Sequence, residues 1–271
     1  MPRSSDTASS ITGWSSTASP STATVRQTGS RIRAGLRIAG LLLLFLACLP
    51  PHLLSKWLTG GSRWPTRFLA SAARICGANV TTAGKPVKPH SLLAANHLSW
   101  LDILVLGGAT GCAFVSKDSL GHGFLHWLAD QNATVYVRRS HRKGAKDQAM
   151  QIAKALEGDK PIALFPEGTT GPGDELLPFR STLLEAATYA AKDVDVRPVA
   201  IDYGKAQHEV AWWNEPGKAN VLRVLGRRGR LNVVVRLLDP LPHADRKSLA
   251  ARMRSEIAAA LAASDSRGSR L

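Results

Sequence analysis

The chain has 271 residues, 44% apolar and 20% charged, which is material for one large domain with appendages. Its formal charge of +15 asks for an anionic partner or surface, whether nucleic acid, lipid headgroups or a phosphorylated substrate, while the 6% aromatic content weakens a base-stacking role. Cys48, Cys76 and Cys112 are too few and too scattered for a disulfide framework or a zinc site, so a reducing compartment fits.

Residues 1–30 are rich in Ser, Thr and Ala without apolar clustering and read as a disordered tail. Residues 31–77 read as a membrane-associated helical anchor. Arg31, Arg33 and Arg37 precede an apolar run over 38–49, which Pro50-Pro51 interrupts and His52-Leu53-Leu54 extends. The uninterrupted part falls short of the ~20 residues needed to span a bilayer. Cations stand on both sides, with Lys56, Arg63 and Arg67 beyond it, so a re-entrant or interfacial anchor is expected rather than a span. The long preceding tail and the lack of a small-x-small site argue against a signal peptide, and Leu46-Ala47-Cys48 fits a lipoprotein cleavage site only loosely. Residues 57–76 carry apolar positions at near-helical spacing with Arg63, Arg67 and Arg74 between them. This predicts a second helix, lying in the headgroup region or packed on the domain.

From 78 to 265 the chain alternates, and 266–271 form a second tail. Predicted strands fall at 79–83, 91–95, 112–116, 134–137, 161–165, 195–201 and 231–238. Predicted helices fall at 102–107, 124–130, 144–156, 182–191 and 244–263. Such alternation predicts an α/β layered domain with a largely parallel central sheet flanked by helices.

Three segments carry chemistry. Asn96-His97-Leu98-Ser99-Trp100-Leu101-Asp102 follows an apolar strand, at the strand-to-helix turn where an α/β fold exposes reactive groups. His97 and Asp102 fit a general base with an orienting carboxylate. In one continuous helix their side chains would diverge by roughly 140°, so they meet only if His97 precedes the helix, on the turn. The competing local reading is a capping box, with Ser99 as N-cap and Asp102 reaching back to its amide. Next, 134–143 is a strand ending in Arg138, Arg139, His141, Arg142 and Lys143; one arginine there can hold a phosphate, while most of the run is a solvated edge. The third, 161–173, is a strand ending in Phe165-Pro166-Glu167-Gly168-Thr169-Thr170-Gly171. Its Gly/Thr-rich loop can turn backbone N–H groups toward an anion, but it is no nucleotide P-loop, because no Gly-Lys-Ser/Thr follows.

Taken in order, Asn-His-x-Ser-x-x-Asp, the Arg-terminated strand, Phe-Pro-Glu-Gly-Thr and Val196-Arg197-Pro198-Val199 resemble the glycerolipid acyltransferase family, whose best-known bacterial members are 1-acylglycerol-3-phosphate acyltransferases. The resemblance covers roughly 79–201. It implies acyl transfer from a CoA or acyl-carrier-protein thioester to an acceptor hydroxyl, with no metal or cofactor. By the same resemblance His97 is the general base, Asp102 orients it, and attack is direct, without an acyl-enzyme. Arg139 and the Glu167-Gly168-Thr169 loop would bind the acceptor's polar head, Glu167 orienting a hydroxyl or Arg139, with Arg180 as a retained cation. The implied partners are a lysolipid acceptor, the acyl donor and an anionic membrane surface, with no nucleic acid. The implied location is the cytoplasmic face of the inner membrane.

The chain departs from the family at Thr170, where Arg is common, at Ala133, where Gly often stands, and at Phe179-Arg180-Ser181-Thr182, where a Gly is lost. The acceptor expected first is 1-acyl-sn-glycerol-3-phosphate, giving phosphatidate. The Glu-Gly-Thr-Thr-Gly loop, Leu177-Pro178-Phe179-Arg180-Ser181 and Ala211-Trp212-Trp213 look more like the lyso-ornithine-lipid acyltransferase branch. A basic nucleic-acid-binding protein and a non-catalytic membrane scaffold are the readings from other classes. The apolar run at 38–54 counts against the first, and the intact His97, Asp102 and Glu167 against the second.

Overall fold

The structure is a computed structural model that describes residues 30–117, 123–137 and 144–268. Among the described residues seven strands form one sheet: β1 (Ala78–Gly84), β2 (Ser91–Ala95), β3 (Ala113–Lys117), β4 (Val135–Val137), β5 (Ile162–Leu164), β6 (Asp195–Asp202) and β7 (Leu231–Leu237), in the order β1-β7-β6-β2-β5-β3-β4. Every neighbouring pair is parallel except β6 with β7. The layered, largely parallel sheet expected from the alternation is therefore present.

β2 shows why such strands read as unbroken apolar runs. Leu93 and Ala95 enter one core with Leu101, Val105 and Leu106, while Leu92 and Ala94 enter another with Ile152, Leu156, Leu249 and Met253. Both faces are covered, so no position of the strand is left for a solvated side chain. The helices that cover them are α1 (Arg31–Thr59), α2 (Trp64–Ile75), α3 (Leu101–Thr110), α4 (Phe124–Gln131), α5 (Gly144–Ala155), α6 (Ala186–Tyr189), α7 (Gln207–Val210), α8 (Gly217–Gly226) and α9 (Arg246–Gly268). α2 crosses α3 at close range: a Cβ on Gly108 would lie 2.6 Å from the backbone of Ala70. Only glycine permits that approach.

The helical layer differs from expectation in several places. Pro50-Pro51 does not break α1, which is continuous from Arg31 to Thr59. Two intrahelical N–H donors are lost there, but tertiary contacts hold the helix on both sides of the prolines. Before them, Phe45 packs edge-on to Phe68 of α2; after them, the buried His52 ring is held between Ser62 Oγ (2.8 Å) and Gln131 Oε1 (3.1 Å). The second helix begins at Trp64 rather than 57, because α1 runs to Thr59 and Gly60 ends it at a positive φ of 70°. The helix expected over 182–191 is a 3₁₀ turn (Ser181–Leu184) followed by the short α6. α7 and α8 fall where the sequence pattern predicts no helix, and α9 runs to Gly268, past the expected domain end at 265. The tail over 1–29 and the basic run including Arg138, Arg139, His141, Arg142 and Lys143 lie outside the described residues.

Candidate active site

Three adjacent parallel strands, β6, β2 and β5, end at one edge of the sheet, and each delivers side chains to the same place. Carboxyl ends of strands are where an open α/β sheet forms its crevice. β2 leads into Asn96, whose buried amide donates to Ile201 O (3.0 Å) and accepts from Ile201 N (2.7 Å). The side chain thus prolongs the β2–β6 ladder by one rung while the backbone turns away, which puts His97 just off the sheet.

His97 and Asp102 meet as the spacing requires. His97 Nδ1 lies 2.9 Å from Asp102 Oδ2, and the same oxygen accepts from Leu98 N (2.7 Å) and Ser99 N (2.8 Å). An oxygen already taking two N–H bonds is an acceptor, so Nδ1 carries a proton, and in the neutral imidazole the lone pair is then on Nε2. Among the described residues Nε2 has no hydrogen-bond partner. The imidazole lies flat on Phe165, with centroids 4.0 Å apart and planes inclined by 12°. Asp102 is fully buried, whereas the His97 side chain keeps 17% of its surface exposed. Half of the capping box forms, since Asp102 does reach Ser99 N. Ser99 Oγ accepts from Leu101 N (3.2 Å) instead of the amide of Asp102, and α3 begins two residues beyond Ser99.

The second carboxylate oxygen of Asp102 accepts from the hydroxyl of Tyr203 at 2.6 Å. Tyr203 is buried just past the end of β6 and belongs to none of the sequence motifs. The available signal is its position, one residue beyond a strand that lies beside β2 at the crevice edge. Phe165, the platform under His97, is likewise no candidate from its residue type, because its contribution lies in packing.

Glu167 stands where the motif predicts, and both of its carboxylate oxygens accept from the backbone. Its Oε1 accepts from His97 N at 2.6 Å and its Oε2 from Leu177 N at 3.0 Å, so it ties the catalytic turn to the chain that follows the loop. Within the described residues Glu167 therefore acts on the backbone of His97; the expected contact with Arg139 lies outside them. Gly168 has a φ of +71°, and a Cβ there would lie 3.0 Å from Nε of Arg180. The Arg180 side chain is thus laid across the glycine, and the two predicted binding residues do come together. Thr169 is exposed beside them. Arg139 lies outside the described residues. Two further bonds close the turn: Gly171 N donates to His97 O (3.0 Å) and Trp212 N to Leu98 O (2.7 Å).

Burial pushes the Glu167 carboxyl up from 4.5 to about 7, against the pull of the two backbone donors and of His97, with the charge of Asp102 adding to the rise. A carboxyl raised in the folded state contributes stability that is full below its unfolded value and lost as pH rises through the folded one. Wild-type stability should therefore fall between about pH 5 and pH 8 relative to Glu167→Gln. The variant loses one acceptor, at a cost of about 1–3 kcal/mol at pH 5, and that deficit should shrink or reverse by pH 8. Urea midpoints across this range check it, and a pH-independent gap would contradict it.

Residues 78–202 match the acyltransferase family model. A lyso-ornithine lipid O-acyltransferase of Rhodobacter capsulatus is 33% identical over 242 residues, covering 82% of this chain and 87% of that protein. The chain belongs to the acyltransferase family. As a member it is an enzyme of acyl transfer in lipid metabolism, and its relatives act on lysolipids. Another lyso-ornithine lipid O-acyltransferase, from Brucella abortus, is 32% identical and covers 85% of this chain and 94% of its own. A 1-acyl-sn-glycerol-3-phosphate acyltransferase of Neisseria gonorrhoeae is 31% identical over 115 residues, covering 41% of this chain and 45% of its own. Among solved structures, the 1-acyl-sn-glycerophosphate acyltransferase of Thermotoga maritima shares the fold, with a TM-score of 0.60, 17% identity, and coverage of 84% of this chain and 94% of that one.

Proposed function

We propose that this enzyme transfers a fatty acyl group from a CoA or carrier-protein thioester to the hydroxyl of lyso-ornithine lipid, with His97 as general base. The observation that carries the chemistry is the imidazole whose Nδ1 is fixed on a buried carboxylate while Nε2 is left free of partners among the described residues. The acceptor hydroxyl gives its proton to Nε2 as its oxygen bonds to the thioester carbonyl carbon. Collapse of the tetrahedral intermediate breaks the C–S bond, and the thiolate leaves with the proton returned by His97. Asp102 holds the tautomer and offsets the imidazolium charge, and Tyr203 holds Asp102.

The acceptor is favoured on two grounds. Relatives of that activity align with 78–85% of the chain, against 39–41% for the 1-acyl-sn-glycerol-3-phosphate enzymes. The residues that resemble the lyso-ornithine branch also act as one unit: Thr170 Oγ1 donates to Trp212 O at 2.7 Å, and Trp212 N in turn binds the turn after His97. By the family resemblance, the neutral Thr170 occupies a place where an arginine is common. That suits an amino-acid headgroup, which brings its own ammonium beside its carboxylate, better than a phosphate dianion. The 1-acylglycerol-3-phosphate reading rests on the shared core motifs and the retained cation Arg180. With labelled acyl donor and both acceptors offered together, labelled ornithine lipid should form at least roughly tenfold faster, the equivalent of one lost charge-assisted bond. Preferential phosphatidate formation would reverse the assignment.

For its location, we infer that the protein lies on the cytoplasmic leaflet of the inner membrane, held by α1 in the plane of the interface. By length and composition α1 could cross a bilayer. Polar clamps hold it to the domain instead: Arg33 Nε donates to Gly226 O (3.0 Å) and Arg37 Nη1 to Leu225 O (2.9 Å), satisfying the last carbonyls of α8. Near the other end His52 and Lys56 bind Gln131 of α4. Along the helix Ile32, Leu36, Leu43, Leu46, Leu53 and Trp57 form one exposed stripe at helical spacing.

A further inference from the structure

α1 is not alone on that side of the molecule. α4 carries Phe124, Leu125 and Trp127 with 58%, 66% and 37% of their surface exposed, an unusual load of large apolar groups for eight residues. Single exposed apolar residues need no explanation, but a contiguous set does. This set meets α1 at Phe45, one helical turn from the exposed Leu42. Phe45 of α1 meets Phe124 edge-on at 5.3 Å and Trp127 edge-on at 6.2 Å, and Phe124 and Trp127 stack on each other at 6.1 Å. The apolar cleft between α1, α2 and α4 is lined by Phe45, Leu49, Phe68, Leu69, Trp127 and Leu128. The other side of α4 is polar, with His126 bound to Asp130 (3.2 Å) and stacked on Tyr136 of β4. α4 is therefore two-faced in the manner of an interfacial helix, and its aromatic residues abut the flank of α1 at Phe45.

We propose that α4 is a second membrane-inserting element, its Phe124, Leu125 and Trp127 entering the acyl-chain region of the leaflet on which α1 lies. The proposal rests on the membrane placement of α1 given above. A lipid occupant is favoured over a protein one by the chemistry around the patch. No Asp or Glu occurs between Asp6 and Asp102, while Lys56, Arg63 and Arg67 stand in the two anchor helices and their connection. Lys56 Nζ reaches Gln131 at the end of α4, and the Arg67 guanidinium lies 5.0 Å from the Trp64 ring centroid. Cations and tryptophans at the margin of an apolar face match the headgroup layer of an anionic membrane. The consequence is functional: with α1 and α4 both engaged, the domain is held at two points, and its tilt on the membrane is set. A single helix would leave it free to rotate about the helix axis.

The test uses the full chain with its three cysteines replaced and one new cysteine at a time, Leu46→Cys on α1, Leu125→Cys on α4 or Ser248→Cys on the exposed start of α9, each carrying an environment-sensitive NBD label. On vesicles of phosphatidylcholine and phosphatidylglycerol, labels at 46 and 125 should both shift to the blue and be quenched by lipids brominated in the acyl chain, while 248 stays unchanged. Leu125→Asp should lower vesicle partitioning by roughly tenfold or more, with turnover of detergent-dispersed substrate unaltered. A response at 46 without one at 125 overturns the α4 proposal and leaves the membrane placement standing. Silence at both positions overturns the placement itself. A blue shift at 125 that grows with protein concentration in the absence of lipid assigns the patch to self-association, and also overturns the proposal.

Discussion

His97→Ala should lose acyl transfer by about 10³-fold or more while keeping the fold, because a positioned general base contributes roughly 10²–10⁴. The fold is expected to survive because Asp102 does not depend on the imidazole for its hydrogen bonds. Leu98 N, Ser99 N and the Tyr203 hydroxyl still satisfy the buried carboxylate after the ring is gone. What is lost is the stack on Phe165, a contact of about 1 kcal/mol. Release of free thiol from the acyl donor, followed beside circular dichroism and thermal melting, separates the two effects. A variant that folds and still transfers acyl groups would remove His97 from the mechanism.

The same residues show how far a sequence can be read. The strands are legible because their signal is local: β2 is a five-residue apolar run, and burial on both faces demands that. The His97–Asp102 contact is legible because five positions of separation exclude a shared helix and leave one geometry, the turn. Tyr203 is not, since it lies 101 residues from Asp102 and only the adjacency of β6 and β2 brings them together. Glu167 is located by its motif, but its bond to the main chain of His97 is not legible there, because no side-chain pattern reports a backbone partner. α8 escapes for a different reason. Asn220 on it is buried among Trp100 Nε1, Ala211 O and Glu215 Oε1, a polar network set into an otherwise apolar face that blurs the helical period. In α1 the local signal of Pro50-Pro51 points the wrong way, because packing on both flanks outweighs two missing backbone bonds.

The organisation of the turn also explains why so many motif residues serve the backbone rather than the substrate. His97 N, Leu98 N, Ser99 N, His97 O and Leu98 O are all bonded, to Glu167, Asp102, Gly171 and Trp212. An unpaired group in this half-buried loop would cost about 1–3 kcal/mol, and a loose loop would blur the position of Nε2. Holding a reacting atom to within a fraction of an ångström is worth orders of magnitude in rate. The Glu-Gly-Thr-Thr-Gly segment fits this demand: Glu167 and Gly171 bind the two main-chain groups of His97, and Thr170 reaches the segment that binds Leu98.

The second large effect is expected from Asp102→Asn. Of the two oxygens of Asp102, one faces three N–H donors and the other faces the Tyr203 hydroxyl. An asparagine must keep its carbonyl toward the three donors, because its amide would otherwise clash with N–H groups that cannot reverse. Its amide then points at Tyr203, whose hydroxyl can rotate from donor to acceptor. The folded structure should therefore tolerate the change, with melting shifted by only a few degrees, and the His97 tautomer should be kept. What disappears is the negative charge that offsets the imidazolium in the transition state. We expect kcat to fall by about 10²–10⁴ with KM for the acceptor little changed. Combining it with Tyr203→Phe isolates the arrangement. In the wild-type background that change removes one donor to a charged acceptor, costing about 1.5–3 kcal/mol. In the asparagine background it breaks a bond between neutral groups, which costs less, so the double variant should be more stable than the two single effects summed. Strict additivity would mean that the charge of Asp102 adds nothing to its bond with Tyr203, and activity near wild type in Asp102→Asn alone would mean that the imidazole needs no fixed countercharge.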